Sequence, residues 1–123
     1  MRVLALDYGQ ARCGCALSDP TGTLATPIAV IPRPGTRRGL AALESLVRER
    51  EVDHVIVGLP LSLRGHDTDQ TRETRAFAQQ LSLRLGAGVP VEMHDERFTT
   101  RIAQRAAAHL LESWLAARQR LRP

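Results

Sequence analysis

The chain has 123 residues, 43% of them hydrophobic, and a formal charge of +4 at neutral pH. A chain of this length can bury one hydrophobic core and is too short for two, so we predict a single domain over residues 1–123. No apolar run approaches the length of a membrane span, and the N-terminus enters a strand pattern directly, without a signal peptide. These features predict a cytoplasmic protein with no membrane partner.

The positive charge comes entirely from arginine, since the 17 basic residues include no lysine. A guanidinium group can bind phosphate through two parallel hydrogen bonds, so the composition permits a nucleic-acid partner. A GC-rich genome also replaces lysine with arginine throughout a protein, with no such partner. Composition alone leaves both interpretations open.

The first part of the chain predicts three strands and a helix. Apolar runs at residues 2–7, 12–19 and 24–32 read as strands, and the glycine-containing "YGQA" between the first two predicts a hairpin. Cys13 and Cys15 fall on one face of the second strand, without a further cysteine to complete a zinc site, so we predict buried thiols. Thr36 is a candidate cap for a helix whose apolar stripe comprises Leu40, Leu43, Leu46 and Val47.

The second part alternates strands and helices. Residues 53–60 predict a buried strand, 62–70 a polar loop, 71–86 a helix, 89–95 a strand and 99–121 a final helix. The apolar stripe predicted for the first of these helices comprises Ala76, Phe77, Leu81 and Leu85, and that of the last comprises Leu110, Leu111, Trp114 and Leu115. This order predicts an α/β domain with helices packed on a mixed sheet. Trp114 fits either the core or the contact of a homodimer.

Three short motifs follow strands. Asp7 follows "VLAL", "GLP" begins at Gly58 after "VIV", and "DER" begins at Asp95 after "VEMH". Ligands of open α/β sheets bind beside the carboxyl ends of parallel strands, so these motifs are candidates for one site. If Asp7 and Asp95 lie on neighbouring strands, their carboxylates can share Mg²⁺, which relieves their mutual repulsion. In the alternative interpretation Asp95 caps the next helix, and Glu96 pairs with Arg97 in solvent.

Strand alternation separates the two acids of the "DER" motif. Val91, Met93 and Asp95 share one face, and Glu92, His94 and Glu96 share the other. Asp95 is the better metal ligand if the apolar face leads toward the site. A bend at the strand end would bring in Glu96 instead.

The ordered motifs "LALDYGQARCGCALSD", "VIVGLPLSLRG" and "HDERFTT" resemble the YqgF family of bacterial proteins, described as candidate pre-16S rRNA nucleases and candidate Holliday-junction resolvases. The resemblance runs from Arg2 to about Ala103 and resumes in "AAAHLLESWL". It implies a ribonuclease-H-like fold with a five-stranded mixed sheet whose first three strands are antiparallel. It also implies phosphodiester cleavage with Mg²⁺ or Mn²⁺, acting on pre-rRNA or branched DNA.

The resemblance assigns roles to individual residues. It makes Asp7 the first catalytic acid and metal ligand, and Asp95 or Glu96 the second. The positions that match the family pattern also include Gly9, Gly14, Gly58, Leu59, Pro60, Gly65, Arg97 and Thr100. Gly9 and Gly58 can allow a phosphate to approach closely, or they can be ordinary turn glycines. Arg97 is a candidate phosphate ligand, and Phe98 can stack on a base or join the core.

The chain departs from the family pattern near the last helix. Family members have a longer stretch after "TTxxA" and a third acid where the last helix begins, whereas here that position falls at Ala103. Either the chain lacks this segment and retains two acids, or the segment is missing from this sequence between Thr100 and Arg105. The shortened pattern supports a rival hypothesis, an inactive nucleic-acid-binding or ribosome-maturation factor. A third interpretation, a fragment of an actin-like ATP-binding domain, requires two such halves.

Overall fold

A computed structural model describes residues 1–21, 25–95 and 106–120. Its elements are β1 (Val3–Tyr8), β2 (Arg12–Ser18), β3 (Ala25–Pro32), α1 (Arg37–Glu49), β4 (His54–Leu59), α2 (Asp69–Leu85), β5 (Val91–Asp95) and α3 (Ala106–Arg120). Every predicted element is present, in the predicted order. The α/β class is therefore confirmed.

The five strands form one mixed sheet in the order β3-β2-β1-β4-β5. The first three strands are antiparallel neighbours, as the family resemblance implied, whereas β4 is parallel to β1 and β5 is parallel to β4. The carboxyl ends of β1, β4 and β5 therefore meet at one edge of the sheet. The strand-end motifs of the sequence lie at this edge.

The two faces of the sheet are covered by different helices. Leu4 and Leu6 of β1 belong to a core cluster with α1 and α2, whereas Val3 and Ala5 belong to a cluster with α3. The alternation along β1 thus assigns even positions to the α1/α2 face and odd positions to the α3 face. Within the part of the chain that is described, no helix is long and apolar enough to cross a membrane.

Helix α2 differs from its prediction in its start and in its buried face. It begins at Asp69, two residues early, because Thr68 and Thr71 cap it reciprocally: the Thr68 side chain accepts from the Thr71 N–H, and the Thr71 side chain accepts from the Thr68 N–H. The prediction that Ala76 lies in the buried stripe is wrong, since it is exposed, and Thr71 and Thr74 are buried in the core instead. Their hydroxyls donate to the Pro60 and Gln70 carbonyls, which removes the cost of burying them.

The predicted apolar face of the last helix is confirmed. Leu110, Leu111 and Trp114 are buried against the sheet, and Leu115 is partly buried beside them. Trp114 is only 6% exposed, so it belongs to the core of its own chain and offers no surface for a second copy. The homodimer stays a prediction without this residue, and the predicted helical residues 99–105 and 121 lie outside the described residues.

A tight turn joins β3 to α1. Arg33 has a left-handed backbone with φ of 43°, and its carbonyl accepts from the Thr36 N–H at 3.1 Å and from the Thr36 hydroxyl at 2.7 Å. Thr36 also caps α1, as predicted, by accepting from the Gly39 N–H at 3.1 Å. A Cβ at Gly39 would lie 2.2 Å from the Arg33 carbonyl oxygen, so the turn can close only over glycine.

Gly39→Ala is expected to destabilise the protein by about 3 kcal/mol, the upper range for overpacking, because the added methyl group meets backbone atoms that cannot rotate away. Gly88→Ala is the matched control, because a Cβ there has no atom within 4 Å and the φ is not positive. The control is expected to be neutral or to stabilise by up to about 1 kcal/mol through the unfolded chain. Urea unfolding measures both, and equal effects would contradict this account of the turn.

Candidate active site at the carboxyl edge of the sheet

Asp7 lies at the carboxyl end of β1, directly after the core positions. Strand alternation puts it on the α3 face, where it follows Val3 and Ala5. Gly14 of β2 is its antiparallel partner. A Cβ at Gly14 would lie 4.0 Å from the Asp7 Cβ and 3.9 Å from the Ala107 Cβ of α3. The glycine therefore leaves space beside the carboxylate, between the sheet and the helix.

The other neighbour of Asp7 in the sheet is also a glycine. Leu6 pairs with Val57 in the parallel register of β1 and β4, and the next residues in that register are Asp7 and Gly58. Gly58 in turn pairs with His94 of β5. Gly14, Asp7, Gly58 and His94 thus form one row across four strands, which we call the Asp7 row. Asp7 is its one acid, with a glycine on each side.

Small side chains of α3 face this part of the sheet. Ala107 and Ala108 are buried in a cluster with Ala16 of β2. Alanine side chains let the helix approach β2 closely while leaving the carboxylate of Asp7 partly accessible. The position of the expected third acid, Ala103, lies outside the described residues, so α3 as described supplies no acid at its start.

His94 joins this site, although its sequence position gave no reason to select it. A hydrogen bond of 3.1 Å connects its Nε2 atom to the Ser113 hydroxyl of α3. Burial lowers the pKa of His94 and outweighs the opposite influence of the Glu92 and Asp95 carboxylates. A neutral imidazole at this place can exchange hydrogen bonds with a substrate. No sequence signal marked the pair, because its two members are 19 residues apart.

Glu92, two residues before His94 on the same face of β5, connects this strand to α3. Its carboxylate accepts a hydrogen bond of 2.5 Å from the Trp114 indole N–H. Glu92 and His94 therefore both contact α3, and this fixes the orientation of β5. The face of the strand that carries them is the face of Asp7.

Asp95 follows on the opposite face of β5. Val91 and Met93, which share its side of the strand, pack against the core cluster under α1 and α2. The apolar face of β5 therefore leads away from Asp7, so the condition under which Asp95 was the better ligand is not met. The other predicted site residues, Glu96, Arg97, Phe98 and Thr100, lie outside the described residues.

Gly9 closes the hairpin between β1 and β2. Its N–H donates to the Arg12 carbonyl at 2.9 Å, and a Cβ on it would lie 2.9 Å from the same oxygen. The turn itself thus requires this glycine. Its predicted contact with nucleic acid, like that of Gly58, stays a prediction.

The two cysteines are buried, as predicted, at 0% and 2% exposure. A hydrogen bond with Cys15, burial, and the nearby Cys15 and Asp7 groups all raise the pKa of the Cys13 thiol. Neither thiol is poised to bind metal. Within residues 1–21, 25–95 and 106–120, no three His, Cys, Asp or Glu side chains gather as a metal cluster.

The chain was compared with families and curated proteins. Residues 1–110 match the RuvX family model, described as Holliday junction resolvase. A relative from Koribacter versatilis, named as a candidate pre-16S rRNA nuclease, is 41% identical over 97% of this chain and 74% of its own length. An Anaeromyxobacter relative of the same name is 36% identical over 96% of this chain and 98% of its own. That alignment extends over 137 positions, more than the 123 residues here, so the relative has residues without a counterpart in this chain.

Solved structures show the same fold at low sequence identity. Thermus thermophilus RuvC in complex with a Holliday junction superposes with a TM-score of 0.64 at 17% identity, covering 97% of this chain and 96% of RuvC. The fowlpox virus Holliday junction resolvase gives a TM-score of 0.58 at 12% identity, covering 95% and 99%. These similarities confirm the predicted ribonuclease-H-like fold. The family match over residues 1–110 shows that the chain belongs to the RuvX family, the YqgF family of the sequence motifs.

Proposed function

We propose that this protein is a divalent-metal-dependent nuclease that cleaves phosphodiester bonds in structured nucleic acid at the Asp7 row. The observation that carries the proposal is the Asp7 carboxylate at the end of β1, with a glycine beside it on each neighbouring strand, in a chain of the RuvX family. The leading substrate is precursor 16S rRNA, after the names of the relatives, and branched DNA is the alternative. Such a protein would act in the cytoplasm.

The residues at this edge fit Mg²⁺ or Mn²⁺. Asp7 offers carboxylate oxygens, and such cations are typically bound through one or two carboxylates together with water and substrate phosphate oxygens. Gly14 places no side chain beside Asp7, so the carboxylate is not covered from that side. The bound metal would supply an activated water and would neutralise charge on the phosphodiester oxygens.

Asp7 and His94 would together orient the substrate. Asp7 holds its position because β1 is paired on both sides. His94 lies two strands away, roughly 10 Å between Cα atoms at the usual strand spacing, and its bond to Ser113 fixes the imidazole. A phosphodiester between them would meet the carboxylate on one side and a neutral hydrogen-bonding group on the other.

For the second ligand we propose Glu96 ahead of Asp95. In the sequence, Glu96 continues the two-residue spacing of Glu92 and His94, and both of those side chains contact α3 on the face of Asp7. Asp95 follows Val91 and Met93, which lie on the other face. Arg97, Phe98 and Thr100 stay proposed nucleic-acid contacts on the strength of the family pattern.

Asp7→Asn is expected to reduce cleavage of a precursor-16S rRNA fragment at least about 100-fold, the loss typical of removing one charge-stabilising group from a reacting centre. The amide keeps the shape of the side chain and loses its charge. Asp69→Asn is the matched control, because that carboxylate is fully exposed and pairs only with Arg72. Full Mg²⁺-dependent cleavage by Asp7→Asn would contradict the proposal. Salt-sensitive binding without cleavage by the unaltered protein would favour the inactive binding factor instead.

The two acids of the "DER" motif are expected to differ. Glu96→Gln should reduce cleavage about 100-fold or more, as expected for a metal ligand, whereas Asp95→Asn should reduce it less than about 10-fold. Both substitutions remove one charge and add none, so they are controls for each other. Initial rates at saturating Mg²⁺, and the Mg²⁺ concentration for half-maximal rate, measure the difference. The reverse order would identify Asp95 as the ligand.

A further inference from the structure

Arginines of this chain differ in whether a carboxylate pairs with them. Arg48, Arg72, Arg75 and Arg84 each form an ion pair with a carboxylate. Arg12, Arg33, Arg37 and Arg38 are all exposed, and none of them forms an ion pair with an acid among the described residues. We call these four residues the arginine surface.

The arginine surface lies beside the Asp7 row. Arg12 begins β2 at the hairpin that follows Asp7, two residues before Gly14, and it pairs with Pro32 at the end of β3. Arg33 comes next and donates its N–H to the Ala11 carbonyl at 3.0 Å. Hydrogen bonds thus tie the hairpin to the β3–α1 turn. The positive surface begins about 7 Å from Gly14 along the strand.

The turn fixes the backbone positions from which Arg33, Arg37 and Arg38 project. The caps made by Thr36 and the close approach of Gly39 to Arg33 fix the start of α1, where Arg37 and Arg38 are the first two residues. No acid lies in the first turn of α1, so the positive end of the helix adds to the arginine charges. Neighbouring like charges repel each other, and a bound phosphate would relieve that repulsion.

A groove of about 520 Å³ opens between the hairpin, the start of α1 and α2. Gln10, Arg33 and Thr36 line it, together with Tyr8 and Glu73. The Tyr8 hydroxyl donates to Glu73 at 3.3 Å, so this carboxylate is engaged on the α2 side of the groove. The volume is within the range of small-molecule sites and can admit an unpaired base. Phosphates would lie along the arginine side, away from Glu73.

Asp7 and the groove lie on different sides of the hairpin, and Arg12 shares the side of Asp7 because Cys13, the next residue of β2, packs on the opposite face. Asp7 is on the α3 face, whereas Tyr8, which lines the groove, packs on the α1/α2 face. A substrate that touches both must turn around the hairpin within a few residues. Double-stranded nucleic acid is too stiff for such a turn without a large deformation cost. A single strand bends freely.

We propose that the arginine surface binds the phosphates of a single-stranded RNA flank next to the bond that is cut at Asp7. This inference rests on the proposed function. It adds the form of the substrate: a precursor whose unpaired flank passes around the hairpin and along the start of α1. The four unpaired arginines and the polar groove are the contacts that select it.

The test uses the cleavage-deficient Asp7→Asn protein and two RNAs that differ only in whether the flank is unpaired or annealed to a complement. Arg33→Gln, Arg37→Gln and Arg38→Gln are combined in one variant. Arg48→Gln, Arg50→Gln and Arg84→Gln form the matched control, since these three arginines lie near the C-terminal ends of α1 and α2, away from the Asp7 edge, and carry the same total charge. Urea unfolding verifies that both variants are folded. Binding is measured as a function of salt concentration.

For the unpaired flank, the first variant is expected to lower the slope of log K against log salt by about 2, or ~0.7 for each lost phosphate contact. The control variant should keep the slope, and the annealed flank should show little difference between the proteins. An unchanged slope in the first variant, an equal loss in the control, or an equal loss with the annealed flank would overturn the inference. Those results would leave cleavage at Asp7 standing, whereas an unaltered Asp7→Asn rate would remove the proposed function itself.

Discussion

Asp7 must keep a carboxylate at the end of a strand whose four preceding residues are at most 1% exposed. An ionised group in such a place loses hydration and needs a compensating charge, hydrogen bond or cation. The residues beside Asp7 in the sheet are glycines, Gly14 on one side and Gly58 on the other, so no neighbouring side chain covers the carboxylate within the sheet. The small alanines of α3 continue this arrangement above the sheet. The architecture of the edge is thus compatible with water, a cation and a phosphate.

The orientation of β5 connects this edge to the rest of the molecule. Trp114 holds Glu92 and Ser113 holds His94, so α3 fixes which face of β5 is directed toward Asp7. The same contacts direct Val91 and Met93 into the core under α1 and α2. A one-residue change of this register would reverse every side chain of the strand. Packing of α3 therefore positions the site as well as the core.

The periodicity of the sequence predicted the sheet and its helices because the buried runs are short and clearly bounded. The Thr68–Thr71 pair gives no clear sequence signal of a cap, because the reciprocal bond is usually made by Glu or Gln. The predicted start of α2 therefore lies two residues after the observed one. Ala76 was assigned to the core for its hydrophobicity, whereas the helical period buries Thr71 and Thr74. The place of Asp7 at the carboxyl end of β1 could be predicted, because Asp7 directly follows an apolar run. The face of Asp95 could not, because it depends on which side of β5 receives α3.

The paired and unpaired arginines could not be distinguished in the sequence either, because ion pairing depends on which helix faces lie close together. Arg84 meets Glu44 across α1 and α2, which are far apart in the chain. The arginine surface at the start of α1 is instead a product of the β3–α1 turn and of the hairpin that follows Asp7. One edge of the sheet thus combines the Asp7 carboxylate with exposed cations, the arrangement that the proposed function requires.

The most direct test of the account is to locate the metal. Titrating the ¹⁵N-labelled protein with Mn²⁺ broadens the amide signals nearest the bound ion first. The account predicts that Asp7, Gly14 and Gly58 broaden at lower Mn²⁺ concentrations than Asp67 and Asp69, two acids at the start of α2 that already pair with arginines. Broadening that begins at Asp67 and Asp69, or that affects all exposed acids equally, would contradict a metal site at the Asp7 row.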